Sequence, residues 1–210
     1  MQPAPYSLLL RRLATVMATT VITLASIAAT TGILLSIYYE PTATGAFNSL
    51  REISQEIPNG WLIRSVHNIA GNVLIVAALV QLVVMFLGER LNRNWLIGWA
   101  SLILLVLTAI GLGWTAMLLD WSQTGYWRFR IELGTIESIP FVGNQIRDIL
   151  TGGAVNSMTV KRLYTLHSYI LSTGAIALAA VHLGSLLMQA KMDRSIEQSS
   201  DVSSTSESPS

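Results

Sequence analysis

The chain has 210 residues, 51% of them apolar and 12% charged, with a formal charge of +1 and no cysteine. That balance, together with a positive mean hydropathy, excludes a disordered chain, points to a membrane protein rather than a soluble domain, and gives no case for nucleic-acid binding. The missing cysteines remove disulfides, thiolate metal sites, iron–sulfur ligation and covalently attached haem.

Asp, Glu, Lys and Arg are absent from Leu13 to Tyr39, Ser65 to Gly88, Asn94 to Leu119 and Leu163 to Ala190. Each gap holds at least 24 residues, enough for a helix to cross a hydrocarbon core of about 30 Å. Backbone groups in lipid must be satisfied internally, so four transmembrane helices are predicted, near 10–39, 64–88, 95–119 and 161–190. The first is too long and too Thr-rich for a signal peptide. Arg11 and Arg12 precede it, Arg90 and Arg93 separate the second and third, and Lys191 and Arg194 follow the fourth. The positive-inside rule sets these on the cytoplasmic or equivalent side.

The opposite side then receives a loop from Glu40 to Arg64 and a long one from Asp120 to Arg162. Within the second, Phe141, Val142, Ile146, Ile149 and Leu150 recur at helical spacing before Gly152 and Gly153. This predicts a short interfacial helix near 140–151. Residues 1–192 thus form one membrane domain. Residues 193–210, rich in Ser and acidic side chains, are expected to be a disordered tail.

Only three histidines occur, all inside predicted spans. Ionisable groups at membrane depth are costly and mark functional sites. His67 and Gln81 lie fourteen residues apart in SVHNIAGNVLIVAALVQ; His167 and His182 lie fifteen apart in TLHSYILSTGAIALAAVH. On ideal α-helices these spacings return each pair to within about 40° and 60°, some 21–22 Å apart along the axis. His67 and His167 can then meet at one depth, and Gln81 and His182 at a second. Two facing imidazoles suit a haem iron held in a helix bundle. Zinc normally takes a fuller ligand set. A proton relay and plain interhelical hydrogen bonding are the other readings open for these residues. Small residues (Ala18, Ala25, Ala28, Ala29, Gly32, Gly111, Gly113) suit close approach of a flat macrocycle or close helix packing. Arg64, one turn before His67, can pair with a haem propionate or snorkel at the helix end.

The passages IYYEPTATGAFNSL, GWLIRSVH, WSQTGYW, IPFVGNQIRDILTGG and RLYTLHSYIL, with these spacings, resemble the cytochrome b/b6 family. The likeness is to its short four-helix form from the cytochrome bf complex of photosynthetic membranes, and it runs from about Gly32 to His182. It implies an all-α transmembrane four-helix bundle that binds haem b, one near each membrane face. His67 and His167 match the ligands of the first haem, with Arg64 and Gly32 beside it. Gln81 and His182 match those of the second. The stretch from Trp121 to Trp127 and the helix from Ile139 to Leu150 match parts of a quinol pocket. Implied partners, besides the lipid bilayer, are quinone or quinol, a Rieske iron–sulfur protein, a c-type cytochrome and a subunit IV-like companion. The implied location is an integral, multi-pass position in a thylakoid or plasma membrane.

Departures cluster on one half. Gln81 replaces a histidine ligand; Val84 and Leu187 stand where the family keeps basic residues; Val16 and Ala18 replace a cysteine and a glycine. On the other half only Asp120 departs, replacing a proline before the tryptophan. At Gln81 three outcomes are open: no second haem, a five-coordinate haem on His182, or ligation by Met85; the plainer alternative is that the substitution only tunes a retained haem. The expectation adopted is an electron-carrying subunit of a quinol-linked complex, not an enzyme alone, with one haem on His67 and His167 and an altered or lost second site. The alternatives are a scaffold or assembly paralogue without electron transfer, and a five-coordinate haem sensor.

Overall fold

In the computed structural model, residues 5–88 and 95–206 are described. The Arg90 and Arg93 connection lies outside them. The described helices are α1 (Pro5–Ser36), α2 (Ala46–Gln55), α3 (Gly60–Leu87), α4 (Leu96–Leu119), α5 (Gln123–Glu137), α6 (Gly143–Thr151), α7 (Ser157–Thr165) and α8 (Ser172–Ser206). A π-helical turn, Leu166–Leu171, joins α7 to α8. Four stretches are long and apolar enough to cross a membrane: Leu9–Ser36, Gly60–Leu87, Leu96–Leu119 and Ser157–Met192.

Local chemistry moves several ends away from the charge boundaries. Asn59 adopts φ 60°, and α3 starts directly after it, ahead of Arg64. Asn156 and Thr159 form a capping box that starts α7 ahead of Arg162. The helix expected near 140–151 starts at Gly143, because Phe141 takes φ 69° and breaks the helical path. Gly152 and Gly153, at φ 73° and 95°, end it as expected.

Both expected loops contain additional helix. In α2 the buried positions are Ala46, Ser49 and Ile53, a helical stripe too small and polar to stand out as apolar periodicity. In α5 they are Gly125, Phe129 and Leu133, after an N-cap in which the Gly125 amide donates to Ser122 Oγ at 3.2 Å. The expected disordered tail also differs, since α8 continues to Ser206. Extending an existing helix adds one backbone bond per residue without a new nucleus, so polar composition alone does not stop it.

The principal contacts run in a ring, α1 with α3, α3 with α4, α4 with α8, and α8 with α1. Thus α3 and α8 face one another across a diagonal, and they carry all three histidines between them and the π turn. Buried apolar residues form three clusters. One, near the start of α1, holds Ala14, Ala78, Met85, Trp95, Leu102 and Leu186. A central one holds Val21, Leu74, Leu105 and Ala179. The third, Leu118, Phe129, Leu133 and Leu163, packs α5 under the bundle end. Between the second and third, at the depth of His67 and His167, α1 and α4 present Ala28, Gly32, Gly111 and Thr115. None of these four is large.

Candidate functional site

At the first level, the rings of His67 and His167 face each other with centroids 6.3 Å apart and planes inclined by 59°. His167 lies in the π turn. That turn revises the ideal-helix geometry. A π turn accommodates an extra residue, so the fifteen-residue spacing in the fourth span comes close in direction to the fourteen-residue spacing in α3.

Hydrogen bonds at Nδ1 orient both rings. His67 Nδ1 lies 2.9 Å from the Ala28 carbonyl oxygen and 3.2 Å from Thr31 Oγ1. The carbonyl only accepts, so Nδ1 carries the proton and Nε2 keeps its lone pair. His167 Nδ1 lies 2.8 Å from Thr115 Oγ1. That hydroxyl donates to the Gly111 carbonyl at 2.8 Å, so it accepts from His167 and leaves the second Nε2 free as well. Neither Nε2 has a hydrogen-bond partner among the described residues.

These features fit an axially ligated metal. Two imidazole–metal bonds of about 2 Å, plus the half-width of each ring, put ring centres about 6 Å apart. Among the described residues, no group of three or more His, Cys, Asp or Glu could hold a metal ion. Two imidazoles alone fall short of a zinc site and match a haem axis. Gly32 makes room directly beside the ligand: a Cβ there would lie 3.0 Å from His67 Cε1.

The second level is built differently. Gln81 and His182 are 0% and 1% exposed. Gln81 Nε2 donates to the Ala14 carbonyl at 3.0 Å and lies 2.8 Å from His182 Nε2. His182 Nδ1 lies 2.9 Å from the Gly98 carbonyl oxygen, so it donates there and Nε2 accepts from Gln81. Both ring nitrogens are therefore engaged. One polar network joins α1, α3, α4 and α8, and Met85, Trp95, Leu102 and Leu186 pack with Ala14 and Ala18 in the same cluster. Gln81 Oε1 is buried without a partner. Met85 is fully buried in that cluster, Val84 is also buried, and Val16 and Leu187 are exposed on the outer surface.

Arg64 does not snorkel. Its Nη2 donates to Asp120 Oδ1 at 2.6 Å, and Nη1 donates to Ser54 Oγ at 3.0 Å and the Leu50 carbonyl at 3.4 Å. This ties the start of α3 to α2 and to the end of α4. Tyr39 donates to the Leu119 carbonyl at 2.7 Å. Burial, then Tyr164 and Asp120, hold the Tyr39 phenol neutral well above its ordinary range.

Of the segments expected to line a quinol pocket, α6 contributes to a groove of about 810 Å³ between α6, α7 and the π turn. Ile149, Leu150, Met158, Arg162, Leu166 and Ile170 line it. The Trp121 to Trp127 segment does not; Trp121 packs against the third apolar cluster instead.

Not directly legible in the sequence were Thr31, Thr115 and the carbonyls of Ala28, Ala14 and Gly98 that accept from His67, Gln81 and His182. Carbonyl acceptors have no residue signature. Thr115 could have been found as the polar position one turn after Gly111, at the depth computed for the histidines.

Residues 6–190 match the sequence profile of the cytochrome b/b6/petB family. Cytochrome b6 of Acaryochloris marina is 34% identical over 142 residues, which are 67% of this chain and 66% of that protein. Cytochrome b6 of Euglena gracilis is 33% identical over 159 residues, 75% of this chain and 73% of its own length. A chain of a hyperthermophilic respiratory Complex III superposes with a TM-score of 0.70 at 26% identity, over 82% of this chain and 47% of that one. The chain thus spans just under two thirds of the Acaryochloris relative and under half of the Complex III chain.

Proposed function

Because the chain belongs to the cytochrome b/b6/petB family and is an integral multi-pass membrane protein, we propose that it is a b-type cytochrome holding one haem between His67 and His167. Family membership implies b-type haem; the number and place rest on the contrast between the two levels. The observation that carries the reading is the free pair of Nε2 atoms, with ring centroids 6.3 Å apart, across a diagonal lined by small residues.

When bound, haem supplies reversible one-electron exchange. The protein's part is positional. Ala28 and Thr115 hold the two rings by Nδ1 and select the tautomer whose Nε2 can ligate. Gly32 keeps the space beside the His67 ring clear. The surrounding helices half-bury both rings and so lower the dielectric at the site. At the second level, His182 spends both ring nitrogens, on Gln81 and on the Gly98 carbonyl, and Met85, Trp95, Leu102 and Leu186 pack in the cluster beside them, which supports a single haem.

We further propose that the chain works inside a quinol-linked membrane complex with a Rieske iron–sulfur protein, a c-type cytochrome and a companion membrane subunit. The groove beside α6 is its candidate quinol surface. A pyridine haemochrome assay on the purified chain tests the core of this. One low-spin haem per chain that does not bind carbon monoxide is expected. Two haems, or none, would overturn the stoichiometry.

A further inference from the structure

Asp120 is the C-cap of α4. A carboxylate there faces the negative end of the helix dipole, so helix stability gives no reason for it. Its reason lies across the bundle, where Arg64 Nη2 donates to Asp120 Oδ1 at 2.6 Å. The pair is about one-third exposed on each side, 31% and 39%, so by itself it adds little to folding. The setting is nevertheless tightly built. The α4 end is held by Tyr39 through Leu119, and Trp121, directly after Asp120, is turned to φ 47°. Ser54 and Leu50 engage the other arm of the guanidinium. Arg64 precedes His67 by three residues and so lies on the same face of α3.

On the reading that His67 and His167 hold a haem, we propose that Asp120 is a positioning residue that holds Arg64 and sets the net charge beside that haem. Alone, Arg64 would place a full positive charge next to the iron site, favouring the reduced form. Paired with Asp120 the two sum to zero, and the oxidised form is favoured by comparison. The pair is only partly exposed, so its charge is screened less than a fully exposed one. The guanidinium has five N–H donors and spends three contacts on Asp120, Ser54 and Leu50, so it keeps donors for a further anion such as a haem carboxylate.

The test is a potentiometric titration of the haem in the full chain, with haem content measured alongside. D120N is expected to favour the reduced form by about tenfold, an upward shift of about 59 mV for one electron. D120E is expected to stay close to the parent. The double variant R64Q/D120N, which removes both charges, is expected to return toward the parent value. It carries the same comparison if D120N does not take up haem. A loaded D120N with an unchanged or lowered potential, or a double variant far from the parent, would overturn the role of Asp120 and leave the haem site standing. A parent chain without haem would sink both.

Discussion

The two polar levels of this bundle begin from nearly the same sequence device and end as opposite structures. At His67 and His167 the rings are turned by Nδ1 bonds to Ala28 and Thr115, their Nε2 atoms are left unpaired, and both residues are only half-buried. At Gln81 and His182 the same kind of Nδ1 bond, to Gly98, is present, but Nε2 is consumed by the amide. The difference teaches that a histidine's readiness for a metal depends on its second nitrogen. Orientation alone does not distinguish the levels; the unspent lone pair does.

Substituting one histidine on each level should give the largest divergence. His167→Ala is expected to abolish haem binding, read as loss of the pyridine haemochrome signal. His182→Ala is expected to leave haem content intact. It should lower stability by about 2–4 kcal/mol, because it opens a cavity and strands the Gln81 amide and the Gly98 carbonyl. Thermal unfolding would read that loss. Haem lost equally from both variants would mean the levels are not distinct.

Gln81→His separates the contribution of the amide from that of the packing at the second level. Gln81→His supplies a second imidazole but leaves Met85, Trp95, Leu102 and Leu186 in place. Haem content is expected to remain at one per chain. A rise to two would show that the packing yields readily and that Gln81 is the sole barrier.

A graded effect at the first level is expected from Gly32→Ala. A methyl group 3.0 Å from His67 Cε1 forces the ring or α1 to shift by a few tenths of an ångström. Haem affinity should fall roughly 10–100-fold, as for changes to groups that support a ligand. Titration of the apo chain with haem would measure it, and an unchanged affinity would show that the ring has slack.

The four spans, a short helix in the long loop, and the facing of His67 with His167 and of Gln81 with His182 were legible from residue order. Charge-free runs must be helical in lipid, and a 3.6-residue period fixes which side chains share a face. Helix starts at Gly60 and Ser157 were not legible, because Asn59 and Asn156 set them through backbone and capping geometry rather than through hydropathy. Helix α2 was hidden because its buried face is Ala, Ser and Ile. The state of each ring nitrogen depended on carbonyls from helices 39 and 84 residues away in sequence. The partner of Arg64 lay 56 residues away. Periodicity names the residues that can face one another; distance, tautomer and filled volume arise only when four helices pack, because each is a property of atoms that the chain brings together from separate spans.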